Sequence, residues 1–133
     1  MDELNRKSVQ ECRNASKIPI IAILENIRSA YNVGSVFRTA DAFLLEKIIL
    51  IGYTAKPPHK EIKKTALGAE DSVAWEHYTN SLDAIEKLKS LQYNVYAVEQ
   101  TENSISLEKV MFNSPKKIAV LFGNEVSGVE QDT

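Results

Sequence analysis

Three short stretches of the sequence carry side chains that could bind or react with a ligand. Residues 29–43, SAYNVGSVFRTADAF, contain Asn32 followed by Arg38. Residues 56–70, KPPHKEIKKTALGAE, are rich in lysine, and residues 121–128, LFGNEVSG, contain two glycines beside polar side chains. Arginine and clustered lysines favour an anionic ligand, and glycines let a ligand approach the backbone closely. The residue types therefore indicate a site for a phosphate-bearing molecule.

The first stretch predicts a helix that begins near Asn32. Its apolar side chains recur at helical spacing and form one stripe that is expected to pack on a sheet, namely Val33, Val36, Phe37, Ala40, Phe43 and Leu44. Ser35 and Arg38 fall on the opposite side. The loop before the helix, with Arg28 and Ser29, is expected to offer free backbone N–H groups and a positive potential, which suit a phosphate. A capped helix with a solvated arginine explains the same residues, and this stretch alone leaves both interpretations open.

The second stretch concentrates positive charge in a chain whose formal net charge is -2. Its basic side chains fall in a predicted loop with two prolines, and they are Lys56, His59, Lys60, Lys63 and Lys64. Such a cluster is the electrostatic footprint of nucleic-acid binding. Ordinary solvated surface lysines explain it equally well.

The third stretch ends an apolar run with a turn. Its polar and glycine residues are Gly123, Asn124, Glu125 and Gly128. The missing side chains of the glycines are expected to leave room for a ligand beside the backbone. The turn is therefore predicted to belong to a binding site.

The elements that must position these residues follow from the apolar pattern. Short β-branched runs predict four strands, at residues 18–24, 47–52, 93–99 and 117–123. Strands that alternate with helices predict an α/β fold, in which a parallel sheet carries helices on both faces. Ligands gather at the carboxyl ends of such strands, where the first and third stretches lie.

The intervening segments complete this prediction. A helix is expected from Leu82 to Leu91, with Asn80 and Asp83 as its N-terminal cap. An additional helix is expected around residues 8–15, and residues 53–73 are expected to be a long irregular stretch with a functional role.

Composition limits the class of protein. The chain has 133 residues and 44% hydrophobic content, which predicts one domain over residues 1–133 with a genuine core. The single cysteine, Cys12, and the polar N-terminus predict a cytoplasmic protein without a signal peptide. No apolar run reaches the roughly 18 residues of a membrane helix. His59 and His77 lack metal-ligand spacing, and neither a dinucleotide fingerprint nor a nucleophile elbow is present, which disfavours a general nucleotide-binding domain and a serine hydrolase.

Taken together, the three stretches resemble the SpoU-type RNA 2′-O-ribose methyltransferases of the SPOUT superfamily. The run from Asn32 through Gly34 to Arg38 is similar to the first motif of that family, and LFGNE with Gly128 is similar to its second motif. The segment from Lys64 through Gly68 resembles the region between them.

The resemblance implies a fold, a reaction and a set of roles. Family members have an α/β fold with a trefoil knot near the C-terminus, act as homodimers, and transfer a methyl group from S-adenosylmethionine to a ribose 2′-hydroxyl of tRNA or rRNA. By position, Asn32, Arg38 and Glu125 would be the catalytic residues, and Arg28 with the second stretch would contact RNA. The cofactor would lie against Val98, Gln100, Gly123, Asn124 and Gly128. A guanidinium keeps its proton at neutral pH and is a poor general base, so Arg38 is expected to position a phosphate and the nucleophile.

The resemblance also defines an expectation about activity. The family continues beyond its second motif into a third motif and a final helix, which this sequence, ending at Thr133, does not show. The polypeptide as written is therefore expected to be weakly active or inactive. A non-catalytic RNA-binding module of the same fold is the alternative, and the sequence does not choose between tRNA and rRNA.

Overall fold

A computed structural model describes residues 16–109 and 117–133. Five strands form one sheet, in which every pair of neighbours is parallel and the order is β3-β2-β1-β5-β4. The strands are β1 (Ile18–Glu25), β2 (Leu45–Ile51), β3 (Trp75–Tyr78), β4 (Tyr93–Val98) and β5 (Lys117–Phe122). The predicted parallel sheet is confirmed, with one strand more than the sequence pattern indicated.

Helices lie on both faces of this sheet, as predicted. They are α1 (Ala30–Ala42), α2 (Lys60–Ala66), α3 (Ala69–Ser72) and α4 (Ser81–Ser90), and a short 3₁₀ turn follows at Leu107–Lys109. One core joins α1, α2 and α3 to alternate residues of β1 and β2, including Leu24 and Leu50. The other joins α4 to the opposite residues of the same strands, including Ile23 and Ile49, and to β5. Because the central strands are buried on both sides, their sequences are continuous apolar runs rather than alternating ones.

The stretch predicted to be irregular, residues 53–73, contains two helices. His59 caps α2, because its Nδ1 accepts a hydrogen bond of 3.1 Å from the Glu61 amide. Leu67 ends the helix in the left-handed conformation. The prediction of a loop was wrong because a histidine is an uncommon cap and the helix buries only Ile62 and Ala66, too few for a clear apolar period.

The boundaries of α1 also differ from the prediction. Ser29 is the N-cap, since its Oγ accepts from the Asn32 amide, so the helix begins at Ala30 rather than near Asn32. The helix ends at Ala42, and Leu44 adopts a positive φ of 57°. Phe43 is consequently 65% exposed and does not continue the buried stripe.

The predicted cap of α4 is confirmed. Asn80 Oδ1 accepts a 3.0 Å hydrogen bond from the Asp83 amide. The expected helix around residues 8–15 and the cysteine at position 12 lie outside the described residues. Among the helices that the structure describes, none has the length and apolar character needed to cross a membrane.

Candidate functional site

β1 and β5 are neighbours in the sheet although they are far apart in the sequence, and open α/β sheets bind ligands beyond the carboxyl ends of their strands. The loop after β1, residues 26–29, meets the turn after β5, residues 123–130, at this edge. The first and third stretches of the sequence are therefore brought together, as their strand-end positions predicted.

Glu125 holds the loop in front of α1. Its carboxylate accepts hydrogen bonds from the Arg28 amide at 2.8 and 2.9 Å, and from the Ser29 amide at 3.2 Å. The expectation that these amides are free for a phosphate was wrong, because an acidic side chain from the other stretch already occupies them. A carboxylate at this place also complements the positive end of the helix dipole.

Both polar atoms of the Asn124 side chain form hydrogen bonds within the protein. The Nδ2 atom donates to the carbonyl of Asn26 at 2.8 Å and to the hydroxyl of Tyr53 at 2.6 Å, while Oδ1 accepts from the amides of Val126 and Ser127 at 2.8 Å each. The residue is buried. Asn124 therefore fixes the turn and joins it to the loops after β1 and β2.

The two glycines of the turn are required by the packing of the chain itself. A Cβ atom on Gly123 would overlap the backbone of Gly128 and Val129. One on Gly128, whose φ is 75°, would overlap the Glu99 carboxylate. The space that was expected to admit a ligand is thus filled by protein atoms, and the glycines shape the edge of the site rather than opening it.

Glu99 is a residue of this edge that the sequence reasoning missed. It follows β4 directly, and its carboxylate accepts from the Val129 amide at 2.9 Å and from the Gln100 amide at 3.2 Å. These hydrogen bonds lower the pKa of Glu99 below its usual value. Its position between Val98 and Gln100 was the available signal, since a carboxylate at a strand end can bind a neighbouring turn.

A second missed residue is Glu25, which ends β1 and is fully buried. Its carboxylate accepts from the Glu130 amide at 2.8 Å, from Thr133 Oγ1 at 2.6 Å and from the hydroxyl of Ser81 at the start of α4. Asn26, the next residue, donates from Nδ2 to Glu130 Oε1 at 2.8 Å. The residues after the glycine turn are thus fastened to the end of the central strand.

A cleft of about 210 Å³ opens beside these contacts. Asn32 and Glu125 line it together with apolar side chains of β1, the loop after β1, the helix α1 and β5, which are Leu24, Ile27, Val36 and Phe122. Two of the three predicted catalytic residues therefore share one cavity. Arg38 is exposed farther along α1 and is not among the residues that line this cleft.

The ends of β4 and β5 present an apolar platform next to the cleft. Val98 and Phe122 are partners in the parallel register, so their side chains lie side by side on one face of the sheet. They are 53% and 39% exposed. Gln100 is exposed just beyond them. A flat, partly apolar ligand fits such a surface.

The predicted basic patch lies mainly on α2. Lys60, Lys63 and Lys64 are exposed along this helix, and Lys56 is exposed in the loop before it. Lys64 Nζ is 6.0 Å from the centre of the Tyr31 ring on α1. The side chain of His59 is partly committed to capping, and Arg28 is exposed in the loop held by Glu125.

The sequence of this chain matches the SpoU rRNA Methylase family over residues 19–133. The chain belongs to the SpoU rRNA methylase family. A relative from Borreliella burgdorferi, named tRNA (guanosine(18)-2'-O)-methyltransferase, is 29% identical over 110 residues, which are 83% of this chain and 49% of the relative. The protein of the same name from Thermus thermophilus is 25% identical over 130 residues, 98% of this chain and 65% of the relative.

Solved structures share the architecture of this SpoU-family chain. An rRNA methyltransferase from Sinorhizobium meliloti with bound AdoMet is 25% identical with a TM-score of 0.75, covering 91% of this chain and 46% of that one. A TrmH/SpoU tRNA modifying enzyme from A. aeolicus has a TM-score of 0.77 at 18% identity, covering 93% and 61%, and this likeness shows the fold alone.

The chain spans about half the length of the first curated relatives it matches. Within residues 16–109 and 117–133, no group of three or more metal-ligating side chains occurs.

Proposed function

We propose that this protein transfers a methyl group from S-adenosylmethionine to a ribose 2′-hydroxyl of tRNA or rRNA. Membership of the SpoU family supports the reaction. The single observation that carries the proposal is the cleft beyond the carboxyl ends of β1 and β5, which brings Asn32 and Glu125 together from distant parts of the sequence. The two relatives named above are themselves named as 2′-O-methyltransferases of tRNA.

The platform at the ends of β4 and β5 is proposed to hold the cofactor. S-adenosylmethionine supplies an activated methyl group when bound. Its adenosyl part has apolar faces and polar edges, which fit the exposed side chains of Val98 and Phe122 and the amide of Gln100. Gly123, Asn124 and Gly128 support this surface from behind, because their contacts hold the turn in place.

The proposed catalytic residues act mainly by positioning. Asn32, at the start of α1, faces the cleft and presents an amide that can orient a hydroxyl. Glu125 fixes the loop that leads into α1 and thereby fixes Asn32. Arg38 is proposed to bind an RNA phosphate and keep the reacting ribose in line, since near-contact alignment supplies much of the rate of such transfers.

RNA is proposed to approach across α1 and α2. Arg28, Lys56, His59, Lys60, Lys63 and Lys64 supply the positive surface. The complete protein is proposed to act in the cytoplasm as a homodimer.

The first test is a calorimetric titration of S-adenosylmethionine and its demethylated product into the 133-residue chain. Micromolar binding that is retained in Arg38→Ala would support the platform as a cofactor site that does not depend on the arginine. The second step is methyl transfer to total tRNA and rRNA, followed by nuclease digestion and mass spectrometry of 2′-O-methylated nucleosides.

The outcomes separate the proposed enzyme from the alternative module. Salt-sensitive RNA binding by a folded chain that binds no cofactor would indicate a non-catalytic RNA-binding module. Binding of cofactor or RNA without methyl transfer would agree with the expectation that the polypeptide as written is weakly active or inactive. Absence of both kinds of binding in a folded chain would contradict the proposal.

A further inference from the structure

We infer that Tyr31 is a stacking platform for a base of single-stranded RNA, immediately beside the nucleotide whose ribose enters the cleft. This inference rests on the proposed function, because it names one contact that the same RNA would make. Tyr31 occupies the first turn of α1 and precedes Asn32, which lines the cleft. Its side chain is 43% exposed.

The backbone that carries this ring is held from two sides. Thr65 Oγ1, from α2, donates a hydrogen bond of 2.8 Å to the Tyr31 carbonyl, and Ser35 Oγ donates one of 3.1 Å to the same oxygen. The backbone under the ring is therefore fixed, and only the two side-chain torsions of the tyrosine need to be ordered when a base stacks on it.

Close helix packing keeps the lysines of α2 next to the ring. A Cβ atom on Gly34 would overlap Thr65 Oγ1 and would lie 2.5 Å from the Ile62 carbonyl oxygen. Only a glycine allows α2 to come this near to α1. Lys64 accordingly reaches a point 6.0 Å from the centre of the Tyr31 ring.

Cations flank the ring along the surface. Lys60 lies one helical turn before Lys64 on α2, and Arg38 lies two turns beyond Tyr31 on the same side of α1, about 10 Å along the axis. An exposed tyrosine alone is ordinary on a protein surface. An exposed aromatic face with cations on two sides selects a ligand that both stacks and carries negative charge, and an unpaired nucleotide has both properties.

The test measures binding of a short, fluorescently labelled single-stranded RNA of mixed sequence by anisotropy. We expect Tyr31→Leu to weaken the affinity of the full chain about tenfold, because stacking on an aromatic side chain contributes about 1–3 kcal/mol per base, and about 1.4 kcal/mol corresponds to a factor of ten. Tyr31→Phe should bind within about twofold of the parent, since the ring remains. Phe43→Leu is the matched control, an exposed aromatic at the far end of the same helix.

The salt dependence of RNA affinity distinguishes a stacking contact from an ionic contact. Tyr31→Leu should leave the slope of log affinity against log salt unchanged, whereas Lys64→Met should reduce that slope by about one. Ultraviolet cross-linking followed by peptide mapping should place RNA on Tyr31 in the parent chain. If the parent binds RNA but Tyr31→Leu binds equally well, the stacking role is wrong and the proposed function stands. If the parent does not bind this RNA, the stacking role is wrong, and methyl transfer to total tRNA and rRNA remains the test of the proposed function.

Discussion

The polar residues at the end of β5 hold the loops of the candidate site in place. Asn124 and Glu125 form hydrogen bonds with backbone and side-chain groups of the loops after β1 and β2, and the flanking glycines make room for other parts of the chain. The types and spacing of these residues single them out in the sequence. The sequence did not reveal their partners, since Glu25 and Glu99 appear in it as ordinary acidic residues after apolar runs. Only the strand order brings them to the turn.

The Glu125 carboxylate is expected to stabilise the start of α1. Replacing it with alanine removes the acceptor of the Arg28 and Ser29 amides, so the start of α1 should open more often. We expect amide hydrogen exchange at residues 28–29 to accelerate about tenfold, which corresponds to about 1.4 kcal/mol and is typical for a charged acceptor.

Nuclear magnetic resonance or mass spectrometry can follow this exchange. Glu86→Ala, an exposed substitution on α4, should leave it unchanged. Equal exchange in the parent and in Glu125→Ala would show that the clamp does not stabilise the loop.

The second prediction concerns the buried carboxylate of Glu25. Its alanine variant would leave the Glu130 amide and the hydroxyls of Ser81 and Thr133 without their acceptor. We expect the free energy of unfolding to fall by about 3–5 kcal/mol, and by a smaller amount in Glu25→Gln, which keeps one acceptor oxygen. Urea denaturation measures both, and a loss below about 1 kcal/mol in the alanine variant would contradict this account.

At the scale of elements, the sequence predicted four of the five strands, including the edge strand β4. β1 and β2 contribute to both cores, β5 contributes to the core that includes α4, and all three are continuous apolar runs. β3 has the sequence WEHY, pairs only with β2, and is nowhere fully buried, so its pattern carries no clear period. α2 was missed because it buries only Ile62 and Ala66, too few for a clear apolar period, and because its close contact with Gly34 leaves no mark in that pattern. Apolar patterns in the sequence indicate buried faces, whereas β3 is positioned by strand pairing and α2 in part by its close contact with α1.

The α1–α2 contact gives a prediction of its own. Gly34→Ala should push the two helices apart and lower the free energy of unfolding by about 1–3 kcal/mol, the usual cost of overpacking. Adding Thr65→Ala should recover only part of this loss, because the Ile62 carbonyl remains in the way.

Thermal and urea denaturation provide the measurement. Thr39→Ala, at an exposed position of the same helix, should change the stability by less than about 0.5 kcal/mol. If Gly34→Ala is as stable as the parent, the close approach does not constrain the helices.

At the scale of the whole molecule, one hydrogen bond spans the sheet at its amino end. The hydroxyl of Tyr93, in β4, donates to Glu46 Oε1, in β2, at 2.5 Å, although β5 and β1 lie between those strands. Burial, together with this bond to Glu46, raises the pKa of Tyr93 to about 12. The neutral phenol is thus the form that the folded protein favours.

Stability should therefore decline at alkaline pH. The contribution of Tyr93 is complete below the unfolded pKa of about 10 and is lost as the pH rises through about 12, a change of about 2–3 kcal/mol. Urea unfolding of the parent and of Tyr93→Phe at about pH 9 and about pH 11.5 checks this. The difference between the two proteins should shrink at the higher pH, and a constant difference would contradict the assignment.

The insertion of β5 between β1 and β4 has a consequence for the order of folding during synthesis. While residues 117–122 are still inside the ribosome, β1, β2 and β3 can already assemble, but β4 has no partner, because its only neighbour in the sheet is β5. The sheet is completed when β5 inserts between β1 and β4, and this step pairs residues almost a hundred positions apart in the sequence. Such long-range pairing is slow relative to local structure formation. The nascent chain therefore exposes the unpaired edge of β1 until its last described strand emerges, and the cleft beside Asn32 and Glu125 forms only after that.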